Sequence, residues 1–357
     1  MTGVRIGVEE VDPLVLGCTL LSAGGGGVSE MSLAELFLRG VLGDAGTVDV
    51  VPAEALDDDA LVIPVALVGS PTAFSEQLIS DALPLQLKMA VEEHAQREVA
   101  AVMPLQIAGV NGPAAVAFAA RLGLPLVDAD GMARSSPTLR QVWMHLAGID
   151  VSPVVLVGEE GTSNVLRART IETMNRLAWG AFASLAGTVA CAMFLLDGRD
   201  VARATIPGSV SAAIELGRRV RGANGSDPVA AVAAALGGQV VVRGKIVHVQ
   251  RRADPPWGGG SIVVETDRDE RIARVEFQTE NVAVVEDGRV IATVPDVIDV
   301  LDVRSGMPVL PERYRYGRRV AIVAAPTHPL WYGERALATT GPAAYGLDLP
   351  ARSIRSG

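Results

Sequence analysis

The sequence contains few of the residues that a disulfide-bonded, metal-binding or nucleic-acid-binding protein needs. Only two cysteines occur among 357 residues, and no CxxC pair is present, so a disulfide framework and a cysteine-rich zinc site are excluded. The four histidines show no metal-ligand spacing and no HExxH occurs, which favours structural roles for them. The formal net charge is −10, whereas a nucleic-acid backbone requires a basic surface. We therefore expect no nucleic-acid partner.

Aromatic residues make up only 4% of the chain, while 49% of its residues are hydrophobic, 38 are glycine and 21 are proline. This composition indicates a compact globular protein rich in alanine, valine and leucine, with many tight turns. A single hydrophobic core stops growing at roughly 250–300 residues, so the length favours two domains. We place them at residues 1–165 and 166–357.

Two features bear on location. The N-terminal stretch MTGVRIGVEEVDP carries acids where a signal peptide carries a basic region, so we expect no export signal and a reducing, cytoplasmic setting. The run LAWGAFASLAGTVACAMFLL, residues 177–196, has no charge and about the length of a membrane span. Its small residues and charged flanks favour a helix that leads into a buried strand, so we expect no membrane contact.

The order of apolar and helical patterns predicts the fold class. Up to about residue 165, continuous apolar runs such as ALVIPVALVG and VAAVMPLQIAG alternate with helical patterns such as PAAVAFAARLG. This alternation is typical of a three-layer α/β/α domain with a mostly parallel sheet. Helical patterns follow, and from Gly238 onward short β-rich segments with an Asp-Gly turn in VEDGRVI indicate a β-rich, barrel-like C-terminal domain.

The run SAGGGGVSE contains four consecutive glycines, Gly24, Gly25, Gly26 and Gly27. It follows a predicted helix rather than a strand, and no lysine comes next, so a dinucleotide or P-loop site is not indicated. Four glycines cost backbone entropy and therefore need a reason. Two explanations remain open: an anion nest of backbone N–H groups that binds a ligand, or a corner too crowded for side chains.

The stretch LVDADGMARSSP, residues 126–137, carries two carboxylates and an arginine after an apolar strand. Asp128 and Asp130 lie at the carboxyl end of a predicted parallel strand, where α/β sheets bind ligands, and could share a proton or hold a divalent cation. In the alternative interpretation, Asp130 and Gly131 form a turn, Asp128 caps the next helix, and Arg134 neutralises both. Asn111 ends the preceding strand and would face the same crevice, unless it is only a turn residue.

Three further residues are candidates. Cys18 lies beside the glycine run and could act as a nucleophile, although cysteines are commonly buried and inert, as we expect for Cys191. Glu280 and Asn281 in FQTENV could bind substrate or act as a base. A solvated strand edge is the default expectation for both.

An ordered set of motifs runs along nearly the whole chain: GCTLLSAGGGG, DDDALVIPVALVGSPTAFSEQL, QIAGVNGP, AARLGLPLVDADGMARSSPTL, FQTENVAVVEDGRVIATVPDVIDVLD, RYGRRVAIVAAPTHPLW and GPAAYGLD. Together they resemble the S-methyl thiohydantoin desulfurase-like family, which is often associated with hydantoinase and oxoprolinase systems. The chain departs from the family pattern at Ser22 and Ala23 before the glycines, at Gln106 to Gly109, and at Thr279.

The resemblance implies an N-terminal α/β domain, a β-rich C-terminal domain and a hydrolase that replaces ring C2 sulfur by oxygen in a cyclic thiohydantoin with release of a thiol. A carboxylate would serve as general base, and its partner, if protonated, would donate to the ring nitrogen. Asn111 would fix the ring's amide edge, and the glycine run or Arg134 would hold a substrate carboxylate. We therefore assign catalytic roles to Asp128, Asp130 and Cys18, and substrate binding to Gly24, Gly25, Gly26, Gly27, Asn111, Gly131, Arg134, Glu280 and Asn281.

A different class of function uses the same crevice without catalysis. The chain would then be a regulatory or small-acid-binding subunit that assembles with itself or with a hydantoinase-like partner. A metal-dependent hydrolase of cyclic amides is a third alternative, which the lack of histidine spacing disfavours. Whether a divalent metal is bound is left open by the residues.

Overall fold

The computed structural model describes residues 4–26, 31–68, 79–158, 161–185, 188–223, 225–253, 258–268 and 271–356. They form two compact units that are each built from separate stretches of the chain. Unit 1 comprises Met1–Cys18, Ser29–Ala133 and Thr138–Glu215. Unit 2 comprises Thr19–Val28, Arg134–Pro137 and Leu216–Gly357. The glycine run and the segment that begins at Arg134 therefore belong to the β-rich unit, although both lie in the N-terminal half of the sequence.

Unit 1 contains eleven strands and eight helices within the described residues. Its strands are β1 (Val4–Ile6), β2 (Val48–Val51), β3 (Leu61–Val68), β4 (Val99–Pro104), β5 (Leu126–Val127), β6 (Ala129–Asp130), β7 (Val154–Gly158), β8 (Ser163–Leu166), β9 (Val189–Ala192), β10 (Leu196–Asp197) and β11 (Ile206–Pro207). Its helices are α1 (Val11–Leu20), α2 (Met31–Ala45), α3 (Leu83–Ala95), α4 (Asn111–Leu122), α5 (Trp143–Leu146), α6 (Ile171–Ser184), α7 (Gly198–Ala204) and α8 (Ser209–Arg221), of which α1 and α8 run on into unit 2.

The main sheet of unit 1 has the strand order β1-β2-β5-β4-β3-β9-β7-β8, with β10 also paired to β3. The pairs β2·β5, β5·β4 and β4·β3 are parallel, as the continuous apolar runs indicate, and the strands on either side add in antiparallel orientation. The α/β class is confirmed, and the sheet is mixed because β1 and β9 pair in antiparallel orientation with the outer strands of its parallel centre. A separate short ladder joins β6 to β11.

Unit 2 contains a seven-stranded antiparallel sheet with the order β16-β15-β14-β13-β12-β18-β17. Its strands are β12 (Gln239–Arg252), β13 (Gly259–Thr266), β14 (Ile272–Phe277), β15 (Asn281–Glu286), β16 (Arg289–Thr293), β17 (Val297–Asp302) and β18 (Arg319–Ala325), and its helices are α9 (Pro228–Ala235) and α10 (Glu334–Thr340). The expected β-rich, barrel-like character is confirmed as a curled half-barrel, and β15 reaches β17 through a side-chain hydrogen bond.

Short 3-10 turns connect these elements, at Val8–Glu10, Ala53–Ala55, Leu139–Gln141, Pro311–Arg313, Pro329–Tyr332, Pro342–Tyr345 and Ile354–Ser356. The uncharged run 177–196 is a helix followed by a buried strand, α6 and β9, as its small residues predict. Among the described residues, no helix is long and apolar enough to cross a bilayer.

Gly17 shows how closely helices approach in unit 1. A Cβ atom placed on Gly17 of α1 would lie 1.8 Å from the carbonyl oxygen of Ala213 in α8. That separation is far inside van der Waals contact, and the atom met is backbone, which cannot move aside as a flexible side chain does. The sequence therefore needs glycine here to let the two helices touch.

We expect Gly17→Ala to lower the free energy of unfolding by about 3 kcal/mol or more, since the helices must separate. The matched control is Gly40→Ala in α2, where a Cβ atom would meet nothing within 4 Å. That change should raise stability by about 0.5–1 kcal/mol through helix propensity. Urea unfolding of both variants checks the pair, and equal effects would contradict the helix contact.

Candidate functional site

The residues predicted to form one site are divided between the two units, and each group is described within its own unit. Unit 1 holds one set, namely Cys18, Asn111, Asp128, Asp130 and Gly131. Unit 2 holds the other, namely Gly24, Gly25, Gly26, Arg134, Glu280 and Asn281. Gly27 lies outside the described residues.

Asp130 is fully buried at the end of β6 in unit 1. Its Oδ2 accepts hydrogen bonds from the backbone N–H groups of Ile107 at 2.8 Å, Met132 at 3.1 Å and Ala133 at 2.9 Å. Desolvation raises the pKa of this carboxyl to about 6, and the three N–H donors limit that rise because they favour the charged form. Asp130 therefore can exchange a proton near neutral pH, and it also holds the turn that follows it.

Asp128 has a separate set of donors. Its Oδ1 accepts the backbone N–H groups of Val210 and Ser211, both at 3.0 Å, and its Oδ2 accepts the Ser211 hydroxyl at 2.6 Å. These groups belong to the first turn of α8, whose free N–H groups and positive dipole end favour an anion. Asp128 does bind a helix N-terminus, but that helix begins 81 residues later in the sequence rather than directly after the strand.

Asn111 and Cys18 make internal contacts. The Asn111 Oδ1 accepts the backbone N–H of Leu67 at 2.8 Å, which ties the start of α4 to the end of β3. Cys18 is fully buried, and a Cβ atom on Gly112 would lie 2.5 Å from its sulfur. Burial, together with the charge of Asp130, raises the pKa of the thiol well above its usual range. These surroundings favour the neutral thiol over the thiolate that a nucleophile requires.

Gly131 lies in a crowded turn. A Cβ atom at this position would come within 2.9 Å of the Leu105 carbonyl oxygen and 2.8 Å of a Met144 methyl group. The Gly131 N–H donates to Leu105, and its carbonyl oxygen accepts from Trp143. Glycine is therefore required here for packing, whatever its role toward a substrate.

Arg134 is the central residue of the group in unit 2. Its side chain is 1% exposed, and Nη1 donates to the Pro295 carbonyl oxygen at 2.8 Å. Its Nε and Nη2 atoms are buried and make no hydrogen bond in the described structure. These two atoms form one edge of the planar guanidinium, so they present two parallel N–H donors.

Three buried carboxyl groups surround the charge of Arg134. Burial raises the pKa of Glu280, Asp296 and Asp299, most strongly for Asp299. In each case the positive charge of Arg134 acts in the opposite direction and lowers the pKa. One guanidinium cannot compensate three desolvated carboxylates, so this cluster retains protons that an exposed set of acids would lose.

The three carboxyl groups differ in their own partners. Glu280 accepts the hydroxyl of Ser135 at 2.6 Å and that of Thr279. Asp296 accepts three donors, the hydroxyl of Tyr332 at 2.5 Å, the hydroxyl of Ser353 at 2.8 Å and the N–H of Ile354 at 2.9 Å. Both Asp299 oxygens are buried without a hydrogen-bond partner.

Asn281 joins three parts of unit 2. Its Nδ2 donates to the carbonyl oxygens of Ala23 at 3.1 Å and Ile298 at 2.9 Å, and its Oδ1 accepts the Tyr314 hydroxyl at 2.6 Å. Its own N–H donates to Ala23 at 2.9 Å. Glu280 and Asn281 are 1% and 0% exposed, so the default expectation of a solvated strand edge was wrong. Strand periodicity did not reveal that β15 lies between β14 and β16 inside the sheet.

The glycine turn packs against the same residues. Gly24 and Gly26 have φ angles of +91° and +64°, in the left-handed region that favours glycine. A Cβ atom on Gly25 would lie 2.4 Å from Glu280 Oε1. Part of the glycine requirement is therefore crowding and backbone conformation, and the anion-nest interpretation stays a prediction.

Sequence reasoning missed several members of the unit 2 cluster, namely Ser135, Asp296, Asp299 and Tyr314. A signal was present for two of them, because TVPDVIDVLD places aspartates at three-residue intervals in an otherwise apolar strand. Charged residues in such a run are rarely fully buried unless they are paired or functional.

Metal binding has little support in the geometry. Within the described ranges, no group of three or more histidine, cysteine, aspartate or glutamate side chains is arranged to hold a metal ion. The pKa of His328 is lowered by burial, which favours its neutral form, and its ring caps a short 3-10 turn.

Two family models match the chain almost from end to end: S-Me-THD-like, N-terminal domain, over residues 9–168, and S-Me-THD-like, C-terminal domain, over residues 169–354. No curated protein matches. A crystal structure of a protein from Chromobacterium violaceum, a structural genomics target, has a TM-score of 0.79 to this chain at 20% identity. The alignment covers 98% of this chain and 100% of that one, and at this identity it shows a shared fold.

The raised pKa of Asp130 predicts a pH-dependent stability. The pKa is about 6 in the folded protein against an ordinary 3.8, so the folded state binds this proton more tightly than the unfolded state. The contribution of this bound proton to the free energy of unfolding is fully present below the ordinary pKa and is lost as the pH rises through about 6. Between about pH 4 and pH 7 it should lower the free energy of unfolding by about 3 kcal/mol.

Asp130→Asn should remove that part of the pH dependence, as urea unfolding across this pH range would show. Asp302→Asn is the control, because the pKa of Asp302 is lowered in the fold and its loss should change the slope in the opposite direction. An unchanged slope in Asp130→Asn would contradict the assigned pKa.

Proposed function

The chain belongs to the S-Me-THD-like family, and on that premise we propose that it removes sulfur by hydrolysis from a small cyclic substrate of the thiohydantoin type. In this reaction water attacks ring carbon C2, a C–O bond forms, the C–S bond breaks, and the sulfur departs as a thiol. For an S-methyl substrate the products are the corresponding hydantoin and methanethiol.

One observation supports the substrate assignment most directly, the free edge of the buried Arg134 guanidinium. Two parallel N–H donors match the two oxygens of a carboxylate, and charge-assisted bonds of this kind are each worth about 1.5–3 kcal/mol. A substrate carboxylate would satisfy two donors that otherwise stay unpaired in the protein interior. We therefore assign Arg134 to the acidic side chain of the substrate.

The surrounding acids are compatible with an anionic substrate because burial favours their protonated forms. A neutral Glu280 or Asp299 does not repel an incoming carboxylate, and a protonated carboxyl group can donate a hydrogen bond to a ring nitrogen or carbonyl oxygen. The cluster therefore suits a substrate with an anionic end and a polar ring.

Water is the proposed nucleophile. The pKa of the Cys18 thiol is raised well above its usual range by burial, so a thiolate at this position is disfavoured near neutral pH. The catalytic roles assigned to Asp128 and Asp130 remain predictions. The donors around Asp128 give it a clear structural task at the start of α8.

A non-catalytic subunit that binds a small acid is the second class of function, and the same Arg134 edge would serve it. The two classes differ in one measurable respect, since only the enzyme releases a thiol. Assembly with a second copy or with a hydantoinase-like partner is a separate proposal that either class allows.

The test incubates the purified protein with S-methyl and unmethylated thiohydantoin propionates and follows thiol release and the ring absorbance. We expect release by the wild type, and a fall in kcat/KM of about 100-fold or more in Arg134→Gln because a buried bidentate charge pair is lost. The control is Arg319→Gln, whose side chain is 58% exposed and pairs with Asp267.

A truncated substrate separates binding from folding. With the wild type, kcat/KM for an analogue that lacks the propionate carboxylate should fall by a similar factor. With Arg134→Gln, removing the carboxylate should lower kcat/KM little further, since both changes remove the same interaction. Independent, additive losses would show that Arg134 does not hold the carboxylate. If neither compound releases thiol but both bind, the non-catalytic function is supported instead.

A further inference from the structure

Asp299 is a buried acid without any assigned role. It lies in β17, where its strand neighbours Ile298 and Val300 are buried, and its residue is 1% exposed. Neither of its carboxyl oxygens has a hydrogen-bond partner in the described structure. A buried polar group that makes no hydrogen bond destabilises the folded state, and this carboxyl group has two such atoms.

The other buried acids of the two units do not share this condition. Asp130 is held by backbone N–H groups, Glu280 by two hydroxyls, and Asp296 by two hydroxyls and an N–H. Hydrogen bonds of this kind favour the carboxylate and restrain it in one geometry. Among these carboxyl groups, only Asp299 has both oxygens available to a ligand.

The charges that act on Asp299 are few. Arg134 is close enough for its charge to lower the pKa of Asp299, although the two side chains form no hydrogen bond with each other. On the other side, the charge of Asp299 contributes to a raised pKa of Tyr314. Desolvation outweighs Arg134, so the pKa of Asp299 lies well above its ordinary range and the acid form is favoured.

Arg134 donates to the carbonyl oxygen of Pro295, four residues before Asp299, so its unpaired donors and the unpaired acid of Asp299 occur in one buried cluster. The donors can bind an anion, and the acid can give a proton to a basic atom of the same ligand. Catalytic sites commonly keep polar groups in this costly state because the substrate supplies the missing partners.

We propose that Asp299 is the catalytic acid and base of the Arg134 site, donating its proton to the ring nitrogen beside C2 and recovering a proton from the attacking water. This inference rests on the desulfurisation proposed above. The inference adds a second functional residue to the site: Arg134 holds the substrate, and Asp299 moves the proton.

The protons balance in this scheme. Asp299 protonates the imine-type nitrogen of the N=C2–S group, which makes C2 more electrophilic and leaves Asp299 as a carboxylate. Water adds to C2 and gives one proton to Asp299, which returns to its acid form. The tetrahedral carbon then forms C=O as the C–S bond breaks, and the remaining hydroxyl proton goes to sulfur. The two hydrogens of water thus end as one ring N–H and one thiol S–H.

The stability of an Asp299 variant distinguishes a catalytic role of this residue from a structural one. Since the Asp299 carboxyl group is buried and unpaired, replacing it with an amide of the same shape should cost little stability. A residue kept for folding would show the reverse, a large loss of stability. Stability and activity are therefore expected to separate at this position.

The experiment compares the wild type with Asp299→Asn and with the control Asp302→Asn, which changes the same residue type near the end of the same strand, where Asp302 pairs with Arg318. We expect Asp299→Asn to lower kcat for thiol release by about 100-fold or more, as loss of a general acid and base does. KM and the binding constant of the hydantoin product should stay within about threefold, because Arg134 is unchanged. Asp302→Asn should keep wild-type kcat.

The outcomes are distinct. If the wild type releases no thiol, the proposed function and this inference both fail. If the wild type is active and Asp299→Asn retains its kcat, the inference fails while the function stands. If Asp299→Asn loses product binding together with turnover, Asp299 is a binding residue and the acid–base role is refuted.

A measurement on the wild type covers the case in which Asp299→Asn does not fold. An essential acid requires kcat/KM to fall as the pH rises through its pKa. The other titratable groups of the cluster are Glu280, Asp296 and Tyr314, and Arg134 is its permanent charge. A kcat/KM that falls with rising pH, with a solvent deuterium isotope effect on kcat, supports proton transfer. A flat profile without an isotope effect would overturn the role of Asp299.

Discussion

The buried guanidinium of Arg134 is the charge on which the candidate site in unit 2 depends, because arginine cannot become neutral as a buried lysine or histidine can. Arg134 binds the Pro295 carbonyl oxygen through one nitrogen, and its charge lowers the pKa of three buried carboxyl groups. The cost of desolvating these acids still exceeds that attraction. A cluster with one permanent charge and several acids whose pKa values are raised by burial is suited to bind an anion and to move a proton.

The backbone around this cluster is held by Asn281 rather than by the sheet alone. Its side-chain Nδ2 donates to Ile298 in β17 and to Ala23, and its Oδ1 accepts the Tyr314 hydroxyl, so both polar atoms of its side chain are paired. This residue is a positioning element, whereas Arg134 and Asp299 keep unpaired atoms. Paired polar groups provide rigidity in the interior, and unpaired ones are the groups that a substrate can still satisfy.

The fold was largely predictable, and the site only in part. The apolar runs of β3 and β4 indicated buried parallel strands because a strand covered on both faces has no polar face to alternate. The glycine run, Arg134, Glu280 and Asn281 were named from the sequence as candidate binding residues, and that role stays a prediction. Asp299 was overlooked because residue type and spacing do not show that an aspartate in β17 is buried and unpaired. The partners of Asp128 could not be foreseen, since α8 begins 81 residues later.

The sequence by itself determined the α/β and β-rich classes, the family and the helix and buried strand of the uncharged run, because these follow from local hydrophobic patterns and from an ordered set of motifs. Tertiary structure decided which charged groups meet. Residues 19–28 and 134–137 join the β-rich unit although they lie more than a hundred residues from β15 and β17. Burial and hydrogen bonding set the protonation of each acid, and both depend on neighbours that are distant in sequence.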